Sequence, residues 1–253
     1  MIYTAFLLFT FIVIAFAFHQ MQYFMFFTPT FYRSTELDDR FEILSITADD
    51  GIELEGVVHT PINFKGTILF FAGRSYDAVG VIEKISIAYP NIRIITFNYR
   101  SYGRSGGSIT EKNIFSDALH IVKTLKKNYG DIYISGFSLG SSIASYVASK
   151  ESVLGVFLLG PFDSMSGVVK IKYGIDLSWI LRYEFDNTKF VQNIEADTYM
   201  FASKDDEVTF IECVDNLKRY VKNLVYYKEF TGLRHRDMLC NEYIVKKISE
   251  VVR

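Results

Sequence analysis

Ser138, Asp205 and His235 are the residues of this sequence whose types and settings could activate a hydroxyl for attack on a carbonyl. Ser138 sits in Gly136-Phe137-Ser138-Leu139-Gly140. Four β-favouring residues, Ile132 to Ser135, lead in, and the small-residue, helix-compatible segment Ser141 to Lys150 follows. A strand, a sharp turn and a helix with serine at the turn need glycines on both sides, because neighbouring side chains would collide with the strained serine backbone. The turn pushes the hydroxyl out beyond the end of the sheet. The helix that starts there leaves free N–H groups, that of Leu139 first, aimed at the same spot. The plainer reading is a glycine-rich turn with a serine capping a helix; the flanking strand and helix patterns favour the nucleophile.

A serine hydroxyl needs a base near neutral pH. Of four histidines, His19 lies in the apolar N-terminal run, His59 near the end of a hairpin and His120 inside a helical pattern. His235, in Thr231-Gly-Leu-Arg-His-Arg-Asp after the last strand pattern, is the one placed to reach Ser138. An imidazole base in turn needs a carboxylate to hold its tautomer. Asp205, in Ala202-Ser-Lys-Asp-Asp-Glu-Val between a strand and a helix, is the expected acid. Only spacing separates it from Asp206, and Asp163 is a third candidate; capping of the next helix is the competing role. The second oxyanion donor is expected from the Gly73-Arg74 turn after the Thr67–Ala72 strand, as the Arg74 backbone N–H beside that of Leu139. The Arg74 guanidinium would then stand at the mouth of the site, where it could meet an anionic substrate group.

These residues need a scaffold. The 253-residue chain suits one α/β domain plus an extra segment. Its net charge of −2, without a basic block, gives no support to nucleic-acid binding. Two cysteines, Cys213 and Cys240, cannot form a disulfide framework and read as small buried side chains. No Cys/His cluster has zinc spacing. Phe41–Thr47 and Ile52–His59 flank Asp49-Asp50-Gly51 as a β-hairpin. Strand patterns then recur at Thr67–Ala72, Ile92–Asn98, 132–137, Val153–Leu159, Thr198–Ala202 and Leu224–Phe230. Helical patterns run up to Ala88 and over Glu111–Lys127, 141–150, Val208–Tyr220 and Asp237–Val252. Residues 162–195 lack β alternation and read as a small helical insertion. Two antiparallel strands followed by alternating β and α elements give a mostly parallel, doubly wound sheet, with its site beyond the carboxyl ends of the strands.

Ile2 to Phe18 contains only Thr4 and Thr10 as polar residues, and no charge occurs before Arg33. A helix from Ile2 to about Phe27 would be roughly 39 Å long, enough to cross a hydrocarbon core of about 30 Å, with Pro29 as its stop. Residues 1–28 are therefore expected to be a single-pass membrane anchor and 29–253 the folded domain. A cleaved leader is disfavoured by the missing basic start and by an apolar run that continues past Ala15-Phe16-Ala17. Arg33 and Arg40 after the span favour the cytoplasmic face for the domain.

The sequence resembles the membrane-anchored α/β-hydrolase family, the abhydrolase-domain serine hydrolases. The matching stretches are Phe26-Phe27-Thr28-Pro29, Asn98 to Ser105, Gly136 to Gly140, Phe185-Asp186-Asn187, Lys204 to Val208 and His235-Arg236-Asp237. The resemblance covers nearly the whole chain and implies the α/β-hydrolase fold, a Ser138–Asp205–His235 triad, esterase- or thioesterase-like chemistry and no metal or organic cofactor. It departs from the family at Ala72-Gly73-Arg74, where His-Gly-Asn is common, and at Ser101, where the family has a loop glycine. The expected function is a membrane-bound hydrolase of carboxylic esters or thioesters, with acyl or lipid-like substrates. The alternatives are a silent scaffold on the same fold and a serine peptidase.

Overall fold

A computed structural model describes residues 2–30 and 37–253. Arg33, the first charge after the apolar run, lies outside the described residues. The chain begins with α1 (Ile2–Phe26), a helix long and apolar enough to cross a membrane by length and composition. There follow β1 (Phe41–Thr47), β2 (Glu53–His59), β3 (Thr67–Phe71), α2 (Ile82–Ala88), β4 (Arg93–Phe97), α3 (Glu111–Tyr129), β5 (Tyr133–Phe137) and α4 (Leu139–Ala148). The second half holds β6 (Val156–Leu159), α5 (Met165–Tyr173), α6 (Thr188–Val191), β7 (Thr198–Ser203), α7 (Ile211–Lys218), β8 (Leu224–Phe230) and α8 (Glu242–Val251).

The strands form one eight-stranded sheet in the order β1-β2-β4-β3-β5-β6-β7-β8. β1 pairs antiparallel with β2, and β2 antiparallel with β4; every later pairing is parallel. The central strands β3, β5 and β6 are buried along their whole length, as continuous apolar runs covered by helices on both faces should be. Apolar side chains from the two faces form two clusters. One packs Leu69, Ile134 and Leu158 against α3 and α4, and the other packs Ile68, Phe70 and Phe157 against α2 and α8.

The hairpin turn is as expected, with Gly51 at φ 84°. It is also fastened from outside. Arg100, buried, donates from Nε and Nη2 to Asp117 of α3 at 2.7 Å each, and from Nη1 and Nη2 to Asp50 at 2.6 and 2.9 Å. One guanidinium thus holds the 98–107 loop, α3 and the hairpin turn together. Ser101, which stands where the resembled family has a loop glycine, adopts φ 65°, and its hydroxyl donates to the Gly107 carbonyl at 2.7 Å. A left-handed residue costs about 1–2 kcal/mol, and a hydrogen bond of about 1 kcal/mol offsets much of that.

The 162–195 insertion is helical, comprising α5, a single 3₁₀ turn at Ser178–Ile180 and α6. Its return leg is anchored by Glu111, the first residue of α3, whose carboxylate accepts from the Glu184 and Phe185 N–H groups at 2.9 Å each. The last turn of α1 packs onto the same region. Phe27, fully buried, lies 4.9 Å from the Tyr183 ring, edge to face, and Gln22 exchanges hydrogen bonds with the Ile180 carbonyl and the Arg182 N–H. The single C-terminal helix expected over 237–252 is two pieces. A 3₁₀ stretch, His235–Cys240, ends at Asn241, whose side chain accepts from Tyr243 and Ile244 N–H and starts α8 afresh. An Asn side chain competes for the backbone donors and favours this cap over a continuous helix.

Candidate active site

The turn between β5 and α4 has the geometry its glycines imply. Ser138 has φ 55° and ψ −121°, a conformation that L-residues other than glycine rarely adopt. A Cβ on Gly136 would lie 2.2 Å from the Gly140 carbonyl oxygen, and one on Gly140 would lie 2.0 Å from that of Phe71. Neither position can carry a side chain. The strained serine is held by its N–H donating to the Leu159 carbonyl of β6 at 2.9 Å, while its own carbonyl accepts from Ser141 N–H and hydroxyl. Leu139 is the first residue of α4, so its N–H has no partner within the helix.

Across the end of the sheet, Gly73 brings the β3 turn against the serine: a Cβ there would be 3.4 Å from that of Ser138. Among the described residues neither Arg74 N–H nor Leu139 N–H donates to a protein acceptor. The Arg74 peptide is fixed from its carbonyl side. That oxygen accepts from the buried Tyr102 hydroxyl at 2.6 Å and the Thr28 hydroxyl at 2.9 Å, and Tyr102 in turn accepts from Thr28 N–H at 3.0 Å. The Arg74 guanidinium is also engaged: Nη1 donates to the Met25 carbonyl at the end of α1. It satisfies an orphan carbonyl of the helix C-terminus, where a cation is favoured. A role in receiving an anionic substrate has to compete with this bond.

His235 is buried, with its ring 4.8 Å from that of Phe137, the residue before the serine. Its Nδ1 meets Asp206 Oδ2 at 2.7 Å. The acid in contact with the imidazole is thus Asp206, where Asp205 was expected. After β7 the chain turns so that Asp206 points inward and is buried, while Asp205 faces solvent and accepts from Gly232 N–H at 2.6 Å. Asp205 therefore pins the glycine turn (φ 76°) that leads into the histidine loop. Asp206 also accepts from Val208 and Thr209 N–H and from the Thr209 hydroxyl, which fixes the turn ahead of α7. That helix starts after Phe210 without a side-chain cap, so neither aspartate fills the competing capping role. Burial alone would raise its pKa, but the bond and charge of His235 and the Thr209 donors outweigh that and leave it below the ordinary aspartate value. Glu207, which the sequence reading passed over, accepts from the His235 backbone N–H at 3.2 Å. Asp163 is turned away to Ser164 N–H and Asn216 Nδ2. Of the other histidines, His120 pairs with Asp49 and His59 lies beside Phe41.

Two cavities meet at Ser138. One, of about 140 Å³, is mainly apolar and is walled by Met25 and Phe26 of α1, Phe162, and Met165, Val168 and Val169 of the insertion. The other, of about 550 Å³, is open and polar; His235 and Tyr76 line it with Lys84, Arg236, Glu207 and Asp237. Both include Arg74.

Solved structures share this fold. The Pyrococcus furiosus esterase Pf2001 superposes with a TM-score of 0.69 at 17% identity, over 88% of this chain and 97% of that one. The chain has the α/β-hydrolase fold. Its resemblance to abhydrolase-domain proteins extends to sequence. Lysophosphatidylserine lipase ABHD12 of Danio rerio is 33% identical over 129 residues, 47% of this chain and 32% of the lipase. The match thus spans about a third of that enzyme's length. The uncharacterized protein R595 of Acanthamoeba polyphaga mimivirus is 26% identical over 229 residues, 79% of this chain and 78% of its own. No protein-family model matches the chain. Within this hydrolase fold Ser138 and His235 line one cavity, and the carboxylate that meets the imidazole is Asp206, one position beyond Asp205.

Proposed function

We propose that the chain is a membrane-anchored serine hydrolase that cleaves carboxylic esters or thioesters of acyl chains through Ser138, His235 and Asp206. The observation that carries this reading is the strained elbow serine on the wall of a cavity that it shares with a buried His235–Asp206 pair. In the reaction, Ser138 Oγ attacks the acyl carbonyl carbon while His235 Nε2 takes the hydroxyl proton. Asp206 holds Nδ1–H and stabilises the imidazolium. The carbonyl oxygen, now carrying the negative charge, is met by the N–H groups of Leu139 and Arg74. The carbon–oxygen or carbon–sulfur bond to the leaving group then breaks, and His235 returns the proton to that group. Water, activated by the same imidazole, hydrolyses the acyl-enzyme.

The two cavities suit the two halves of such a substrate. The apolar one, closed by α1 and the insertion, takes the acyl chain. The polar one, lined by the cations Arg74, Lys84 and Arg236 and the carboxylates Glu207 and Asp237, takes the leaving group. The lipase and esterase relatives support a hydrolase, and the lysophospholipid substrate in one relative's name agrees with an amphiphile of this shape. α1 supports attachment to a membrane, and Arg40 after it favours the cytoplasmic face.

The test is steady-state hydrolysis of a p-nitrophenyl acyl ester in detergent. Wild-type protein is expected to turn over with a burst of nitrophenol, the mark of acyl-enzyme accumulation. His235→Ala is expected to lose the burst and about 10⁴-fold or more in kcat. Turnover undiminished in His235→Ala would refute the assignment.

A further inference from the structure

The end of α5 and the loop from it to α6 present a set of apolar side chains that none of the described residues covers. Trp179 is 78% exposed, Ile175 58% and Tyr173 53%. A soluble domain scatters single exposed apolar residues, but a cluster holding a tryptophan marks a contact surface. Its position says what it contacts. Gln22 Nε2 of α1 donates to the Ile180 carbonyl at 3.0 Å, and Arg182 N–H donates back to Gln22 Oε1 at 2.6 Å. These bonds set the 3₁₀ turn Ser178–Ile180 beside the last turn of α1, whose upstream face exposes Phe16, Met21 and Phe24. The apolar surface of the helix therefore continues onto the insertion.

The flanking charges fit a lipid surface. Lys170, Lys172 and Arg182 border the cluster, against a single carboxylate, Asp176. That carboxylate is occupied: Oδ1 accepts from Ser178 N–H at 3.0 Å and Oδ2 lies 3.8 Å from Lys170 Nζ. Tryptophan and tyrosine favour the headgroup level, and lysine and arginine reach from there to anionic lipid. We propose that residues 171–180 are a second membrane contact, seated in the headgroup layer beside α1. The apolar cavity at Ser138, bounded by Met25 and Phe26 on one side and by Val169, Lys172 and Tyr173 on the other, then lies between the two membrane contacts. An acyl chain would pass from the bilayer into it without crossing water. This inference rests on α1 spanning the membrane, and not on the chemistry of Ser138.

Trp179 is the only tryptophan of the chain and so reports on its own position. The full-length protein is reconstituted into phosphatidylcholine–phosphatidylserine vesicles, with and without lipid brominated near the top of its acyl chains. Brominated lipid is expected to remove roughly half of the tryptophan emission, as for a side chain about 5–10 Å into the interface, and aqueous iodide is expected to quench it weakly. Strong quenching by iodide with none by brominated lipid would overturn the proposal. Alkaline extraction of the same vesicles separates the two readings. Protein that resists alkali while its tryptophan stays in water keeps the anchor and loses the second contact, whereas protein released by alkali loses both.

Discussion

The elbow at Gly136–Gly140 and the acid turn at Ser203–Glu207 differ in how the sequence constrains them. At the elbow, backbone sterics dictate residue types. Carbonyl oxygens stand where the Cβ atoms of residues 136 and 140 would be, so both positions must be glycine, and the serine between them is held at φ 55°. At the acid turn three carboxylates, Asp205, Asp206 and Glu207, follow one another. Which one faces the imidazole depends on the direction of the chain after β7, set by Asp206 accepting from Val208 and Thr209 N–H. Residue identity can encode a steric requirement at one position. It does not encode the rotation of a short turn that carries the same chemistry at successive positions.

The comparison can be broken most sharply at the acid turn. Asp206→Asn is expected to lower kcat by about 10⁴-fold, because the imidazole loses the carboxylate that sets its tautomer. Asp205→Asn keeps an acceptor for Gly232 N–H and is expected to stay within about threefold of wild type, as for surface changes that preserve a hydrogen bond. A reversed order of losses would return the acid role to Asp205. At the elbow, Gly140→Ala is expected to cost more than about 4 kcal/mol, the range of severe backbone and packing clashes. It should leave the protein insoluble or unfolded in a thermal melt; a folded, active Gly140→Ala would show that the turn is less constrained than its contacts imply.

The parts that were legible in the sequence are those where a local rule has a single solution. The parallel strands read as apolar runs, the hairpin as Asp-Asp-Gly, and the elbow as paired glycines around serine. His235 was singled out because the other histidines lie away from the carboxyl edge of the sheet, and in the structure it lines a cavity with Ser138. What escaped depends on contacts between distant segments. No local pattern shows that the Arg74 guanidinium closes the end of α1, that Tyr102 and Thr28 hold the Arg74 peptide, or that Met25 and Phe26 wall the site. The break at Asn241 had a signal, a side chain able to cap, which the apolar periodicity of 237–252 outweighed.

Smaller effects sharpen the contrast at this long-range corner. Met25→Trp should fill part of the apolar cavity and lower the ratio of long-chain to short-chain ester kcat/KM by about tenfold; an unchanged ratio would remove α1 from the acyl site. Thr28→Ala leaves the Arg74 carbonyl its Tyr102 partner, so kcat is expected to fall by at most roughly tenfold, equally on both esters and with KM unchanged, as for a loosened oxyanion donor. Thr28→Ser, which keeps the hydroxyl, should restore it. A change confined to KM would instead assign Thr28 to substrate binding.

The smallest expected effect concerns pH. The native Asp206 carboxyl is held below its ordinary value, so its ionised form contributes stability that is fully present above the unfolded value of about 3.9 and is lost as the pH falls through the depressed native value. The stability difference between wild type and Asp206→Asn, measured by urea unfolding at a series of pH values, should be constant at higher pH. It should shrink in the acid range. A difference that grows on acidification would contradict the pairing.

The most direct test is to label the full-length protein with a fluorophosphonate, which reacts with serine only where a base and an oxyanion site activate it, and to map the adduct by mass spectrometry. The account expects a single adduct on Ser138, absent from Ser138→Ala and formed far more slowly in Asp206→Asn than in Asp205→Asn. An adduct on another serine, or labelling that persists in Ser138→Ala, would contradict it.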